Sequence, residues 1–142
     1  MRMLFPTALA LLIGAFAHTP DVDAVRAQVQ AMAAAAEAQD KSGVLAHVAD
    51  DFTGNNGELD RAGVEQLLRA RLLAGRSIGV SIGRVEVEVD GDRATARFEA
   101  TVTDGSGRWL PDHRAVLKMV TAWRREQREW RCYNAQWSDG DR

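Results

Sequence analysis

The stretch MVTAWRREQREWRCYNAQWS, Met119 to Ser138, carries three of the chain's four tryptophans, and its reading decides how the C-terminal third folds. Apolar and polar residues alternate on both sides of Gln127-Arg128, the pattern of two half-buried strands joined by a tight turn. An even-length turn there sets Trp123 opposite Cys132, Thr121 opposite Asn134 and Met119 opposite Gln136. One face then reads Leu117, Met119, Thr121 and Trp123 beside Trp130, Cys132, Asn134 and Gln136. The other reads Val116, Lys118, Val120, Ala122 and Arg124 beside Arg131, Tyr133, Ala135 and Trp137.

On this register the tryptophans near the turn fill core, while Thr121, Asn134 and Gln136 gather where the core opens. An apolar cleft with a few convergent polar groups is the usual form of a small-molecule site. The candidate ligand-binding residues are therefore Met119, Thr121, Trp123, Trp130, Asn134 and Gln136. The second face sets aromatics among arginines, as protein interfaces do, and makes Val120, Arg131, Tyr133 and Trp137 candidates for a dimer surface. Each set also has a plainer reading. The amides sit equally well in solvent on a half-covered strand, and Tyr133 and Trp137 under a loop of the same monomer.

Upstream, period two continues back to Ser77. Ile78, Val80 and Ile82 alternate, as do Val85, Val87 and Val89, but the two sets are out of phase. One extra residue at Gly83-Arg84 keeps both on one face, which is a β-bulge and bends the strand. Asp90-Gly91 offers a hairpin turn. The return strand places Ala94, Ala96, Phe98, Ala100 and Val102 inward; a mostly alanine face leaves room for a helix or a ligand. A polar loop from Asp104 to Asp112 leads into the last hairpin.

The N-terminal half has the helical period. Val22, Val25, Val29, Met32 and Ala36 stripe a helix from Asp21 to Gln39, with Thr19 and Pro20 as start signals. A short helix from Ser42 turns Val44, Leu45 and Val48 inward, with Phe52 at its end, and Thr53 to Gly57 has loop composition. Asp60 caps a third helix, stapled by Leu59 and Val64. Val64, Leu67, Leu68 and Leu72 form its buried face, and Gly75 stops it.

Residues 1–17, MRMLFPTALALLIGAFA, read as an export signal: a charge at Arg2, an apolar run from Leu9 to Phe16, and small residues for cleavage after Ala17. The run is short for a membrane span, which takes about 20 residues. The mature domain covers residues 18–142 in a periplasmic or secreted location, the alternative being retention on an uncleaved anchor. Loss of Arg2 takes the formal net charge from -2 to -3. Charges of both signs are interspersed, which excludes the basic face that nucleic-acid binding needs. With Cys132 alone among cysteines and His18, His47 and His113 scattered, neither a disulfide nor a zinc spacing is present, and neither a metal nor another cofactor is expected. Cys132, mid-strand among aromatics, reads as a buried thiol rather than a nucleophile.

The element order is an α+β fold, helices packed on a strongly bent antiparallel sheet. The segments AQDKSGVLAHVADDFTGNNGELDRAGVEQLLRARL (Ala38 to Leu72) and MVTAWRREQREWRCYNAQWS resemble the nuclear transport factor 2-like superfamily, whose SnoaL-like and ketosteroid-isomerase-like members share a cone-shaped α+β fold. The resemblance covers about Asp21 to Ser138. It implies a conical pocket between sheet and helices, with dimerisation through the sheet's outer face, Asn134 and Gln136 toward the pocket, and Tyr133 and Trp137 toward a partner. The same fold hosts enzymes and non-enzymatic binders.

Three functions follow as expectations. The first is an exported homodimeric domain binding a small apolar or amphipathic molecule, without catalysis. The second is an isomerase, dehydratase or hydrolase. Its weak catalytic candidates are His113, which has the parity of Leu117 and Met119, and Asp51, which is four residues from His47 and reads equally as one half of a surface pair. A ketosteroid-isomerase-like site also needs an acid pair, and the single tyrosine, Tyr133, has the wrong parity for it. The third is an envelope interaction module working through the Tyr133/Trp137 face.

Overall fold

The computed structural model of the chain describes residues 19–73, 77–103 and 114–140. The export segment with its cleavage site, Gly75, and the loop that ends in Asp112 and His113 lie outside them. Among the described residues, three helices and seven strands follow in the order α1 (Thr19–Glu37), α2 (Lys41–Leu45), β1 (Val48–Gly54), β2 (Leu59–Asp60), α3 (Arg61–Leu73), β3 (Gly79–Ile82), β4 (Glu86–Asp90), β5 (Arg93–Thr103), β6 (Arg114–Glu126) and β7 (Glu129–Asp139). Among the described residues no helix is long and apolar enough to cross a membrane.

Helix α1 is rich in alanine, the best helix former, and lays Val25 and Val29 against the sheet, both buried. It ends where Gln39 turns to φ 59°. The Asp40 amide then reaches back to the Ala35 carbonyl and the Gln39 amide to that of Ala36, the double bond of a left-handed helix stop. Asp40 immediately caps α2, its Oδ1 accepting from the Gly43 amide at 3.0 Å. Asp60 does the same for α3 through Gly63 at 2.8 Å, as its sequence position predicts. Leu59 and Val64 pack on the core together, but Leu67, expected on the buried face of α3, is 59% exposed.

The sheet runs β2-β1-β7-β6-β5-β3, with β4 also on the outer edge of β5. Between Ile82, which pairs with Ala100, and Glu86, which pairs with Arg97, one strand has one residue more than the other. This is the bulge expected at Gly83-Arg84, and it keeps Val80, Ile82, Val85, Val87 and Val89 on the core side. The hairpin after it turns one residue later than expected, at Gly91-Asp92, because Asp90 still pairs with Arg93. Gly91 takes φ 59° there, a left-handed conformation that glycine adopts without strain.

Two further expectations need correction. Val48 and Phe52 do not belong to α2: they lie on β1, which the sequence disguises because Val44, Leu45, Val48 and Phe52 happen to keep helical spacing. Nor is the sheet purely antiparallel. Strand β1 pairs with β7 in parallel, so the sheet is mixed. Its partner lies about 80 residues downstream by register (Val48 with Cys132), a pairing with no local signal. Thr53 and Gly54 belong to this strand, and the turn is Asn55 to Glu58, of which Asn55, Asn56 and Gly57 have positive φ.

Candidate functional site

The concave side of the sheet and the three helices enclose an apolar cavity of about 250 Å³. The alanine-rich face of β5 leaves the space, as the sequence implies: Ala94, Ala96 and Ala100 are all buried and add little bulk above the sheet. Val29, Met32 and Ala36 of α1, Val44 of α2 and Val64 of α3 close one side. Phe52, Phe98, Met119, Thr121, Trp123, Cys132, Ala135 and Trp137 line the sheet side.

The last hairpin does not keep the simple register. Its turn is at Gln127-Arg128, both with positive φ, and Trp123 faces Cys132 as predicted. Beyond that point Ala122 pairs with Asn134, Thr121 with Ala135 and Met119 with Trp137. Tyr133 is thus an extra residue, a bulge that inverts the parity of everything after it. Ala135 and Trp137 turn into the cavity, and Asn134 and Gln136 turn out of it. The signal lay in the sequence. Trp130 and Cys132 are out of phase with Ala135 and Trp137 by one residue, the same slip that marks Gly83-Arg84.

Each candidate can now be placed. Met119, Thr121 and Trp123 line the cavity as expected. Trp130 is 4% exposed but stands off the cavity wall, nearer the hairpin turn, with the Arg125 guanidinium 4.7 Å from its ring centre. Asn134 and Gln136 are the clearest correction: they stitch the outside of the sheet. The Asn134 Nδ2 donates to the carbonyl and the hydroxyl of Thr53, both at 3.1 Å. The Gln136 amide donates to Asn134 Oδ1 at 3.4 Å. Trp137 moves the opposite way, from outer face to cavity wall. Its ring lies over Gly54, where a Cβ would come within 2.8 Å of ring carbon Cζ3. Its amide donates to Asn55 Oδ1 at 2.9 Å.

Val120, Tyr133 and Arg131 stay on the outer face. Val120 is 39% exposed. The guanidiniums of Arg93 and Arg124 stand 5.4 and 5.2 Å from the Tyr133 ring centre, a cation–π arrangement. Arg131 pairs with Glu126 and Glu129 and donates to the Ala46 carbonyl at 2.6 Å.

Asp51 shares no helix face with His47, since it lies on β1, and its side chain points away from the cavity. There it takes a two-point hydrogen bond from Arg124, at 2.8 and 3.2 Å. That bond holds its carboxyl below the ordinary range, whereas a general base at neutral pH needs a raised pKa. His47 sits between α2 and β1, where burial, with Arg131 nearby, lowers its pKa against the opposing pull of Glu129. His113 lies outside the described residues. Among those residues no group of three His, Cys, Asp or Glu side chains converges to hold a metal.

On the cavity wall the Thr121 hydroxyl, the Trp123 indole N–H and the Cys132 thiol are occupied. The Thr121 hydroxyl, 5% exposed as a residue, donates to the Ala96 carbonyl at 3.1 Å and accepts from the Trp123 indole N–H at 2.8 Å. Cys132 Sγ donates to the Asn134 carbonyl at 3.3 Å, and burial pushes its thiol up to about 12. Little thiolate exists there to act as a nucleophile.

This arrangement of helices over a bent sheet occurs in solved structures. A nuclear transport factor 2-like protein with a cystatin-like fold from Novosphingobium aromaticivorans superposes with a TM-score of 0.74 over 96% of this chain and 93% of its own, at 20% identity. The chain has the nuclear transport factor 2-like fold. A second such protein, of unknown function, from Pseudomonas putida KT2440 gives 0.70 over 84% of this chain and 87% of its own, at 16% identity. A third, from Streptomyces avermitilis and provisionally described as a dehydratase of that family, gives 0.69 over 85% and 96%, at 19% identity. No protein-family model matches the sequence, and no curated protein does. At these identities the likeness establishes the fold alone.

Proposed function

We propose that this is an exported nuclear transport factor 2-like protein that holds a small apolar or amphipathic molecule in its cone and acts as a binder rather than a catalyst. The observation that carries the reading is the apolar cavity of about 250 Å³ whose hydroxyl, thiol and Trp123 indole are already hydrogen-bonded. Polar chemistry on a substrate needs a free donor, acceptor or titratable group within reach, and neither the Thr121 proton nor the Cys132 thiol is free to supply one. An apolar cavity that excludes water gains by admitting hydrocarbon.

Two subsidiary proposals go with it. The export segment directs the chain to the periplasm or beyond, and the outer sheet face around Val120 mediates a homodimer. The provisional dehydratase assignment of the Streptomyces neighbour is what favours a catalytic alternative. It needs His113 as the acid-base group, so a pH–rate profile that loses a titration in His113→Gln would support it.

The direct test is native mass spectrometry of the protein taken from the envelope fraction of its own host, repeated after denaturation. Extra mass that leaves on unfolding supports the binder. A protein that is empty in its host and takes up no apolar probe refutes it.

A further inference from the structure

We infer that the part of the ligand seated in the cone is hydrocarbon of about ten carbon atoms, and that Thr121 sets this preference; the inference rests on reading the cone as a binding site. Size follows from volume. An apolar cavity of about 150 Å³ accepts benzene, and this one measures about 250 Å³. A fused bicyclic ring or a short branched chain fits it.

Chemistry follows from what the wall leaves free. Besides Thr121, Trp123 and Cys132, the lining consists of valine, alanine, isoleucine, phenylalanine, methionine and Trp137. The one hydroxyl on the wall spends its proton on the Ala96 carbonyl and receives that of the Trp123 indole. The Cys132 thiol is turned to the Asn134 carbonyl. A ligand hydroxyl brought beside Thr121 and Trp123 finds both of their protons already spent, a loss of roughly tenfold or more in affinity. Thr121 therefore sets selectivity as a positioning residue. By occupying the Trp123 indole N–H, it removes that donor from the wall.

Equilibrium dialysis with naphthalene and with 1,5-dihydroxynaphthalene tests this on the whole protein. The diol carries a hydroxyl at each end, so either orientation buries one. Wild type is expected to bind naphthalene at least tenfold tighter than the diol. Thr121→Ala frees the Trp123 N–H and makes space beside it, so the preference shrinks by roughly fivefold to tenfold, the worth of one recovered hydrogen bond. Thr121→Ser keeps the hydroxyl and keeps the wild-type preference.

The wild-type ratio decides the ligand class even where Thr121→Ala does not fold. Equal binding of both probes by wild type overturns the hydrocarbon assignment and leaves the cone a binding site. No binding of either overturns both. An unchanged preference in folded Thr121→Ala overturns the role of Thr121.

Discussion

Replacing Gly54 with alanine should force Trp137 off its seat and report on the register of the last strand. The added Cβ falls 2.8 Å from Cζ3 and 2.9 Å from Cη2 of the Trp137 ring. Carbon atoms rest at roughly 3.5–4.0 Å, so the ring must retreat by about 1 Å toward the cavity. Overpacking of this kind costs about 1–3 kcal/mol, and the stiffer unfolded chain of an alanine variant returns about 0.5 kcal/mol. The net expectation is a loss of about 1.5 kcal/mol, which for a domain of this size lowers Tm by roughly 6 °C.

The assay is urea unfolding of wild type, Gly54→Ala, Trp137→Leu and the double variant. If the ring lies on the glycine, alanine should cost far less once Trp137 is leucine. A coupling energy of about 1 kcal/mol should appear in the cycle. In the unbulged register Trp137 points outward and cannot touch the added methyl in this way. Additive effects within about 0.3 kcal/mol would therefore refute the bulge at Tyr133 and the inward tryptophan with it.

Phe52→Ala, which removes a buried ring from the cavity wall, should cost about 3–4 kcal/mol in urea unfolding and enlarge the cavity. Tyr133→Leu, which ends the contacts with Arg93 and Arg124, should cost about 1 kcal/mol while leaving probe binding in the cone unchanged. Val120→Arg should shift the sedimentation profile to monomer if the outer face pairs two copies, whereas Trp137→Ala should not. On acidification stability should fall in two stages. His47 has a folded pKa below its ordinary 6.5, so the unfolded chain takes up a proton first and stability declines below that pH. Asp51 has a folded pKa below its ordinary 3.8, so its contribution is present above that value and is lost as pH falls through the folded pKa. His47→Gln should abolish the first stage and Asp51→Asn the second, as read from unfolding midpoints between about pH 2 and 8.

Periodicity made most of the fold legible. The stripe of α1, the cap Asp60 and the inward alanines of β5 each have one local cause, and each is where the pattern puts it. What escaped was non-local or numerically ambiguous. Strand β1 contains two adjacent aspartates and is held by a parallel partner far along the chain, so its few apolar residues matched a helix as well as a strand. In β7 the two sets Trp130/Cys132 and Ala135/Trp137 carried the same phase slip that located the bulge at Gly83. Tyr133 masked it, because an aromatic residue continues an apparent alternation on the opposite face. The cavity could be anticipated from small side chains. The occupied state of the Thr121 hydroxyl could not, because it depends on Ala96 of the neighbouring strand as well as on Trp123 of its own.

The extra residue in β7 also bears on how a binding site of this kind changes over generations. Deleting one position at Tyr133 would remove the bulge and leave the lining as it is, since Asn134 would follow Cys132 opposite Ala122 on the outer face and Ala135 and Trp137 would stay inside. Substitution alters a wall one side chain at a time, and each intermediate must still fold. A single codon lost here would instead be absorbed by the bulge, and the apolar lining would survive it. Relatives of this fold whose last strands differ by one residue at this point can therefore share one lining, and are to be compared by register rather than by length.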